Sequence, residues 1–285
     1  GLTLFGMKFR NKLGTAAGLD KNGDYIDALG ALGFGFLEVG TVTPRPQLGN
    51  PKPRVFRNFH ENSIINRLGF NNKGIDYMVN NLKKRKYDGV VGVNIGANKS
   101  SEGIERINDY LLCIEKIHKL ADYITINISS PNTPDLRDLH LKENLQNLIT
   151  SVEKKIDEVK FTKPVFLKIS PDETDESIEM IVDLVNNSSF TGLIATNTTI
   201  EKDNLSNKKL KNEAGGVSGQ PLMEKSTNKI LLIRSKCSDI PLIGVGGVMS
   251  KDDYILKINA GAELVQIYTG FIIKGPNLIN QIIRD

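Results

Sequence analysis

The chain has 285 residues, 39% of them hydrophobic and 25% charged, with a formal net charge of +4. That is enough chain for one large core, and a strand–helix barrel commonly fills about 250 residues as a single domain. No apolar stretch reaches transmembrane length. The basic run Lys83, Lys84, Arg85, Lys86 has no interleaved aromatics and reads as solvated helix ends, which argues against nucleic acid.

In chain order, an apolar run at 13–18 predicts a first strand, followed by a helical pattern through Tyr25, Ile26, Ala28, Leu29 and Leu32. A second strand is expected at 34–40. The long segment 43–72 then carries Pro44, Pro46, Pro51 and Pro53, too long for a scaffold connection, and predicts a functional loop with a small hairpin arm at 54–59. A helix at 74–86 leads to a third strand at 90–95. Further helix and strand pairs follow, with helices at 104–120 and 141–159 and strands at 123–128 and 165–169.

Ile178, Ile181, Val182 and Val185 mark the next helix, and 192–196 the sixth strand. After another long loop come a helix at 225–235, a strand at 241–245, a helix at 253–258, a strand at 264–267 and a last helix at 276–283. Eight units without a break predict an α/β fold of the TIM (β/α)8 type, one catalytic domain over 1–285 with an inserted hairpin arm and active-site loops. A doubly wound open sheet would normally need fewer strands and a crevice at a switch point. Cys113 and Cys237 stand far apart, with no spacing that suggests a metal site, so none is expected.

Polar residues gather where the apolar runs end: Lys21, Thr41, Asn94, Asn127, Ser130, Lys168, Asn197, Gly246, Gly247 and Tyr268. In a barrel these positions form one mouth, where catalytic residues sit. GVGGV at 244–248 and IYTG at 267–270 end the last two strands, where backbone N–H groups commonly bind phosphate. Neither is followed by the acid that a dinucleotide fingerprint requires.

Lys168 can set a positive charge beside a cofactor that turns anionic on reduction, such as a flavin, or can simply snorkel to the rim. Asn66, Asn127, Asn132 and Asn197, with Thr198, offer paired donors and acceptors that suit a planar ring of alternating N–H and C=O. Lys21 suits a carboxylate on the same ligand, and a pyrimidine carboxylate meets both demands. Asn and Ser are also common turn formers. Ser130 has no histidine beside it in sequence, since the only three are His60, His118 and His140, so a hydrolytic triad is unattractive. A serine acting as a base needs a dry pocket, which predicts a lid at 130–140.

The strings AAGLDKNG at 16–23, EVGTVTPRPQLGNPKPRVFR at 38–57, NRLGFNNKG at 66–74, GVNIGANK at 92–99, INISSPNTPDLRDL at 126–139, IATNTT at 194–199 and EAGGVSGQPL at 213–222 closely resemble dihydroorotate dehydrogenases, specifically the class 2, quinone-dependent form. IGVGG and VQIYTGFIIKGP extend the resemblance, which spans essentially the whole chain in barrel order.

The resemblance implies that flavin mononucleotide (FMN) is held by Ala17, Gly18, Leu19, Asp20, Lys21, Thr41, Asn94, Asn127, Lys168, Thr196, Gly219, Gly247, Tyr268 and Thr269. It implies that dihydroorotate is held by Lys21, Asn66, Arg67, Leu68, Gly69, Phe70, Asn127, Asn132, Asn197 and Thr198, with Ser130 as the catalytic base. Class 1 enzymes carry cysteine at that position, so serine points to class 2. In the implied reaction Ser130 takes the C5 proton while C6 delivers hydride to the flavin, and ubiquinone or menaquinone reoxidises it.

The family's class 2 members carry an N-terminal helical extension that forms the quinone tunnel and rests on the bilayer. This chain opens at Gly1, just ahead of its first barrel strand, so an upstream portion is expected. The wording of the motifs is closer to bacterial than to mitochondrial members. A monomer bound peripherally to the cytoplasmic face of the bacterial inner membrane is expected, with the mitochondrial inner membrane as the eukaryotic counterpart. Rival readings are a fumarate- or NAD-linked dihydroorotate dehydrogenase and a binding barrel without catalysis.

Overall fold

The computed structural model describes residues 1–129 and 141–284. Eight parallel strands close into a barrel: β3 (Leu13–Thr15), β4 (Phe36–Val42), β7 (Val90–Ile95), β8 (Tyr123–Asn127), β9 (Val165–Ile169), β10 (Gly192–Ala195), β12 (Leu242–Val245) and β13 (Leu264–Ile267), each beside its predecessor and β13 pairing with β3. The helices that cover it are α1 (Ile26–Ala31), α2 (Ile75–Lys84), α3 (Ile104–Ile117), α4 (Leu141–Glu158), α5 (Asp175–Asn186), α7 (Met223–Lys236), α8 (Lys251–Ala260) and α10 (Pro276–Ile283). Their starts follow local chemistry. Thr174 and Ser250 accept the N–H of Ser177 and Asp253, and Pro276 opens α10 where no N–H is needed.

Alternation along the strands produces two cores. Leu37, Val39, Val91, Val93, Ile124, Ile126, Leu167 and Ile169 point outward and pack with the helices. The intervening residues Phe36, Tyr123, Phe166, Ile194, Ile243 and Leu264 form a second cluster inside the barrel. Two residues further along, five of these six strands turn polar on the inner face, giving Glu38, Thr125, Lys168, Thr196 and Gln266, all buried, while β12 places Val245 there. The barrel is therefore apolar at its floor and polar below its mouth.

The floor is stoppered by a hairpin that the sequence pattern did not disclose, β1 (Leu2–Leu4) paired with β2 (Met7–Phe9). Phe5 meets Phe166, and Phe9 meets Phe36, edge to face at 5.6 and 5.5 Å. The arm predicted at 54–59 is larger than expected. β5 (Val55–Asn58) and β6 (Ser63–Asn66) pair with a third strand, β11 (Gly216–Gly219), from the loop after β10. GVSG is too short and too glycine-rich to announce a strand, and it forms only because β6 offers a free edge. Two short helices, α6 (Lys208–Lys211) and α9 (Thr269–Lys274), also escaped the pattern.

The basic run is corrected in part, since Lys83, Lys84 and Lys86 are exposed as expected. α2 ends at Lys84, the backbone turns extended at Arg85, and Arg85 bonds Asp122 at 3.1 Å. The predicted lid at 130–140, with Ser130, Asn132 and His140, lies outside the described residues.

α8 is fastened to α7 through Lys257, whose side chain is fully buried and donates to Thr227 Oγ1 at 2.9 Å and to the Met223 carbonyl at 3.4 Å. Burial pushes this ammonium down to about 7, against the smaller pull of Asp253. An unfolded lysine keeps its proton to about pH 10.4, so between about 7 and 10 the unfolded chain binds more protons and stability rises with pH. Lys257→Met is expected to flatten that rise and to stabilise the fold at and below neutral pH, because Thr227 keeps its bond to the Met223 carbonyl. Urea midpoints measured across the window check this, and an unchanged slope in the variant contradicts it.

Candidate active site

At the carboxyl ends of the barrel strands a cavity of about 350 Å³ opens, walled by Ala17, Gly18, Lys21, Thr41, Asn66 to Phe70, Asn127, Lys168, Asn197, Thr198 and Tyr268, with Asn50 and Ala214 to Gly216 on the arm side. A narrower slot of about 60 Å³ shares Ala17, Lys168, Asn197, Thr198 and Tyr268 with it and runs on to Thr196, Ser218, Gly219, Gly246, Gly247 and Thr269. The two form one cleft, assembled from residues more than 250 positions apart in the chain.

A ladder of hydrogen bonds crosses the cleft wall. Thr41 Oγ1 donates to Asn94 Oδ1 at 2.7 Å, and Asn127 Nδ2 donates to Thr41 Oγ1 at 3.2 Å. Asn127 Oδ1 accepts from the Ser129 N–H at 3.0 Å and from its hydroxyl at 2.5 Å, and Asn197 Nδ2 donates to Ser129 Oγ at 2.8 Å. The ladder fixes amide orientations that a bare rim would leave free. At its far end Asn94 Nδ2 is buried with no partner among the described residues.

The wall formed by Asn66 to Phe70 is held from behind. Gln47 Nε2 donates to the Gly69 and Phe70 carbonyls at 3.2 and 3.1 Å, and Asn50 Nδ2 donates to the Arg67 carbonyl at 2.9 Å. Arg67 lines the cavity yet has its guanidinium engaged with Glu213 at 2.8 Å and 4.6 Å from the Phe56 ring centroid. The slot is set by backbone. Gly247 has φ +81 and lies against the start of α7, so close that a Cβ there would stand 2.5 Å from the Met223 nitrogen. Ser226 Oγ ties α7 to the Val245 carbonyl at 2.7 Å, and Ser218 and Thr269 hydroxyls meet at 2.6 Å.

Charge in the cleft is positive. Burial brings the Lys21 ammonium down to about 8, helped by Arg54 and Lys168. Lys168 is also lowered, by burial first, while Glu38 below it pulls the other way. A site with two crowded ammonium groups and oriented amides favours an anionic, planar, polar ligand over a cation or an apolar one.

Of the described residues expected here, three do not line the cleft. The Leu19 side chain packs on the outer core. The Asp20 carboxylate turns away to accept the N–H groups of Asp24 and Tyr25, both at 2.9 Å. Asn94 stands behind Thr41. Residues the sequence reading passed over are Glu38, Thr125 and Gln266 in the polar layer, Ser218 and Gly216 on the walls, and Ser129 in the hydrogen-bond ladder. The first three had a signal, each standing two positions beyond Phe36, Tyr123 or Leu264 on the same inner face.

The family model described as dihydroorotate dehydrogenase matches residues 2–285. The chain is 50% identical to the dihydroorotate dehydrogenase (quinone) of Saccharophagus degradans, covering 98% of this chain and 84% of that protein. It is 50% identical to the protein so described from Buchnera aphidicola subsp. Schizaphis graminum, covering 98% and 85%. Among solved structures it resembles ligand-free DHODH from Eimeria tenella with a TM-score of 0.91 and 36% identity, covering 99% of this chain and 84% of that one. The crystal structure of that species' DHODH with ferulenol gives 0.90 and 35%, covering 97% and 80%.

Proposed function

The chain belongs to the dihydroorotate dehydrogenase family, and from that membership we infer that it oxidises dihydroorotate to orotate in pyrimidine biosynthesis and passes the electrons to a quinone. The redox group is a flavin, taken here to be FMN. The Gly246–Gly247 cradle suits it as backbone that a phosphate can approach. Thr41, Asn127, Lys168, Thr196, Gly219, Gly247, Tyr268 and Thr269 would hold it. When bound, it supplies the hydride acceptor.

The observation that carries the reading is the wall on which Lys21 stands with Asn66, Asn127 and Asn197. Lys21 holds the substrate carboxylate, and the amides orient the ring by donor and acceptor pairs. Ser130 removes the proton from C5 of dihydroorotate. Lys168 supplies positive charge where negative charge grows on reduction. Asn132 completes the amide set.

Lys21 makes binding depend on pH. It is charged below about 8 and loses its proton above, so affinity for orotate is expected to hold steady up to about pH 8 and then fall, approaching tenfold per pH unit. Titration of flavin absorbance with orotate across that range checks it, and flat affinity to pH 10 would remove Lys21 from the carboxylate site.

We assign the protein to the cytoplasmic face of a bacterial inner membrane as a peripheral monomer whose quinone is ubiquinone or menaquinone. Among the described residues no helix is long and apolar enough to cross a membrane. The chain spans about 85% of the length of its bacterial relatives. The deciding experiment identifies the chromophore released from purified protein, then compares ubiquinone analogues, fumarate and NAD as acceptors after reduction by dihydroorotate. FMN and preference for the quinone are expected. Preference for fumarate or NAD, or a protein without flavin, overturns the reading.

A further inference from the structure

Glu38 lies on the inner face of β4, fully buried in the polar layer under the cleft. Thr125 Oγ1 donates to its Oε1 at 2.6 Å, and the Glu38 N–H donates to Thr15 Oγ1 at 3.1 Å. Gln266 Nε2 donates to the Tyr123 hydroxyl at 3.3 Å, which leaves the tyrosine proton for another acceptor in the same layer. Glu38 Oε2 and Gln266 Oε1 are buried there with no partner among the described residues. An acid so placed has a structural cost and no role in the reaction as derived above.

Lys168 from β9 is buried inside the barrel with Glu38 from β4, Tyr123 and Thr125 from β8 and Gln266 from β13, and it lines the cavity together with Lys21. Glu38 is the negative one. Burial drives Glu38 up and Lys168 down, and each draws the other back toward its charged form. We propose that Glu38 is a positioning residue that keeps Lys168 protonated at the floor of the cleft, so that reduction of the bound flavin takes up one proton instead of two. The inference rests on the flavin reading above. Its balance is simple. A hydride brings two electrons and one proton, and a lysine that already carries its proton needs no second one to meet the negative charge.

The test is the midpoint potential of the bound flavin against pH, by dye-linked anaerobic titration of the wild type and Glu38→Gln. One proton per two electrons gives the wild type about 30 mV per pH unit. In Glu38→Gln the unpaired lysine loses its proton in the alkaline range and regains it on reduction, which steepens the slope there to about 60 mV per pH unit. Parallel lines for the two proteins overturn the proposal, and so does a wild type that itself takes up two protons. If Glu38→Gln does not retain flavin, infrared spectra of wild type with labelled glutamate decide: a protonated carboxylic acid at Glu38 sinks the idea and a carboxylate supports it. A wild type without flavin, or one not bleached by dihydroorotate, sinks the functional reading as well. Failure of the slope with a bleachable flavin touches Glu38 alone.

Discussion

Ser130→Ala is expected to slow anaerobic reduction of the bound flavin by dihydroorotate by about 10²–10⁴-fold, the usual contribution of a positioned general base, while the flavin stays bound. Among the described residues no histidine lines the cleft: His118 ends a helix with its Nδ1 at the Glu115 carbonyl, and His60 lies exposed on the arm. Burial lowers both cleft lysines, yet Lys21 at about 8 is still mostly protonated at neutral pH and is not a ready base there. Ser130 follows Ser129, whose hydroxyl donates to Asn127 and accepts from Asn197. Stopped-flow bleaching by dihydroorotate measures the chemical step apart from quinone turnover, and orotate affinity measured alongside should change only a few-fold. Bleaching at the wild-type rate would reject Ser130 as the base.

Most of the barrel was legible because its signal is local. Each buried strand is a short run of Val, Ile and Leu closed by a polar residue, and each helix carries its apolar stripe. The cleft was legible for the same reason, since residues at strand ends must converge once the barrel closes. What escaped depends on contacts across the chain. GVSG becomes β11 only against the edge of β6, and LTL with MKF makes a stopper only because Phe36, Tyr123 and Phe166 wait at the floor. Glu38 was hidden differently: in FLEVG it looks like one more polar residue near a strand end, and only the closed barrel turns it inward beneath Lys168. Leu19 and Asp20 sit inside a matching motif, yet one packs outward and the other caps a turn. A motif marks a stretch of chain, and side-chain direction separates its members.

Gly247→Ala is expected to leave the barrel folded and to weaken flavin binding by about 10²-fold or more, roughly 3 kcal/mol. At φ +81 an alanine is strained by about 1–2 kcal/mol before any contact is counted. The added methyl would then stand 2.5 Å from both the nitrogen and the Cα of Met223, backbone atoms that cannot rotate away. α7 resists moving because Ser226 fastens it to β12, so the loop carrying Gly247 yields into the slot shared with Gly246 and Thr269. That slot is where a phosphate would meet backbone N–H groups. Gly246→Ala makes the comparison informative. Its φ is +133, so it too is strained, and its methyl would meet the Ser226 Oγ and Cβ at 2.8 and 2.9 Å and Leu222 Cδ2 at 3.1 Å, side-chain atoms instead of the backbone of α7. Flavin release followed by fluorescence should therefore rank Gly247→Ala below Gly246→Ala and both below the wild type, with urea midpoints of the apoproteins differing far less. Retention of flavin by Gly247→Ala at the wild-type level would remove the phosphate from this loop.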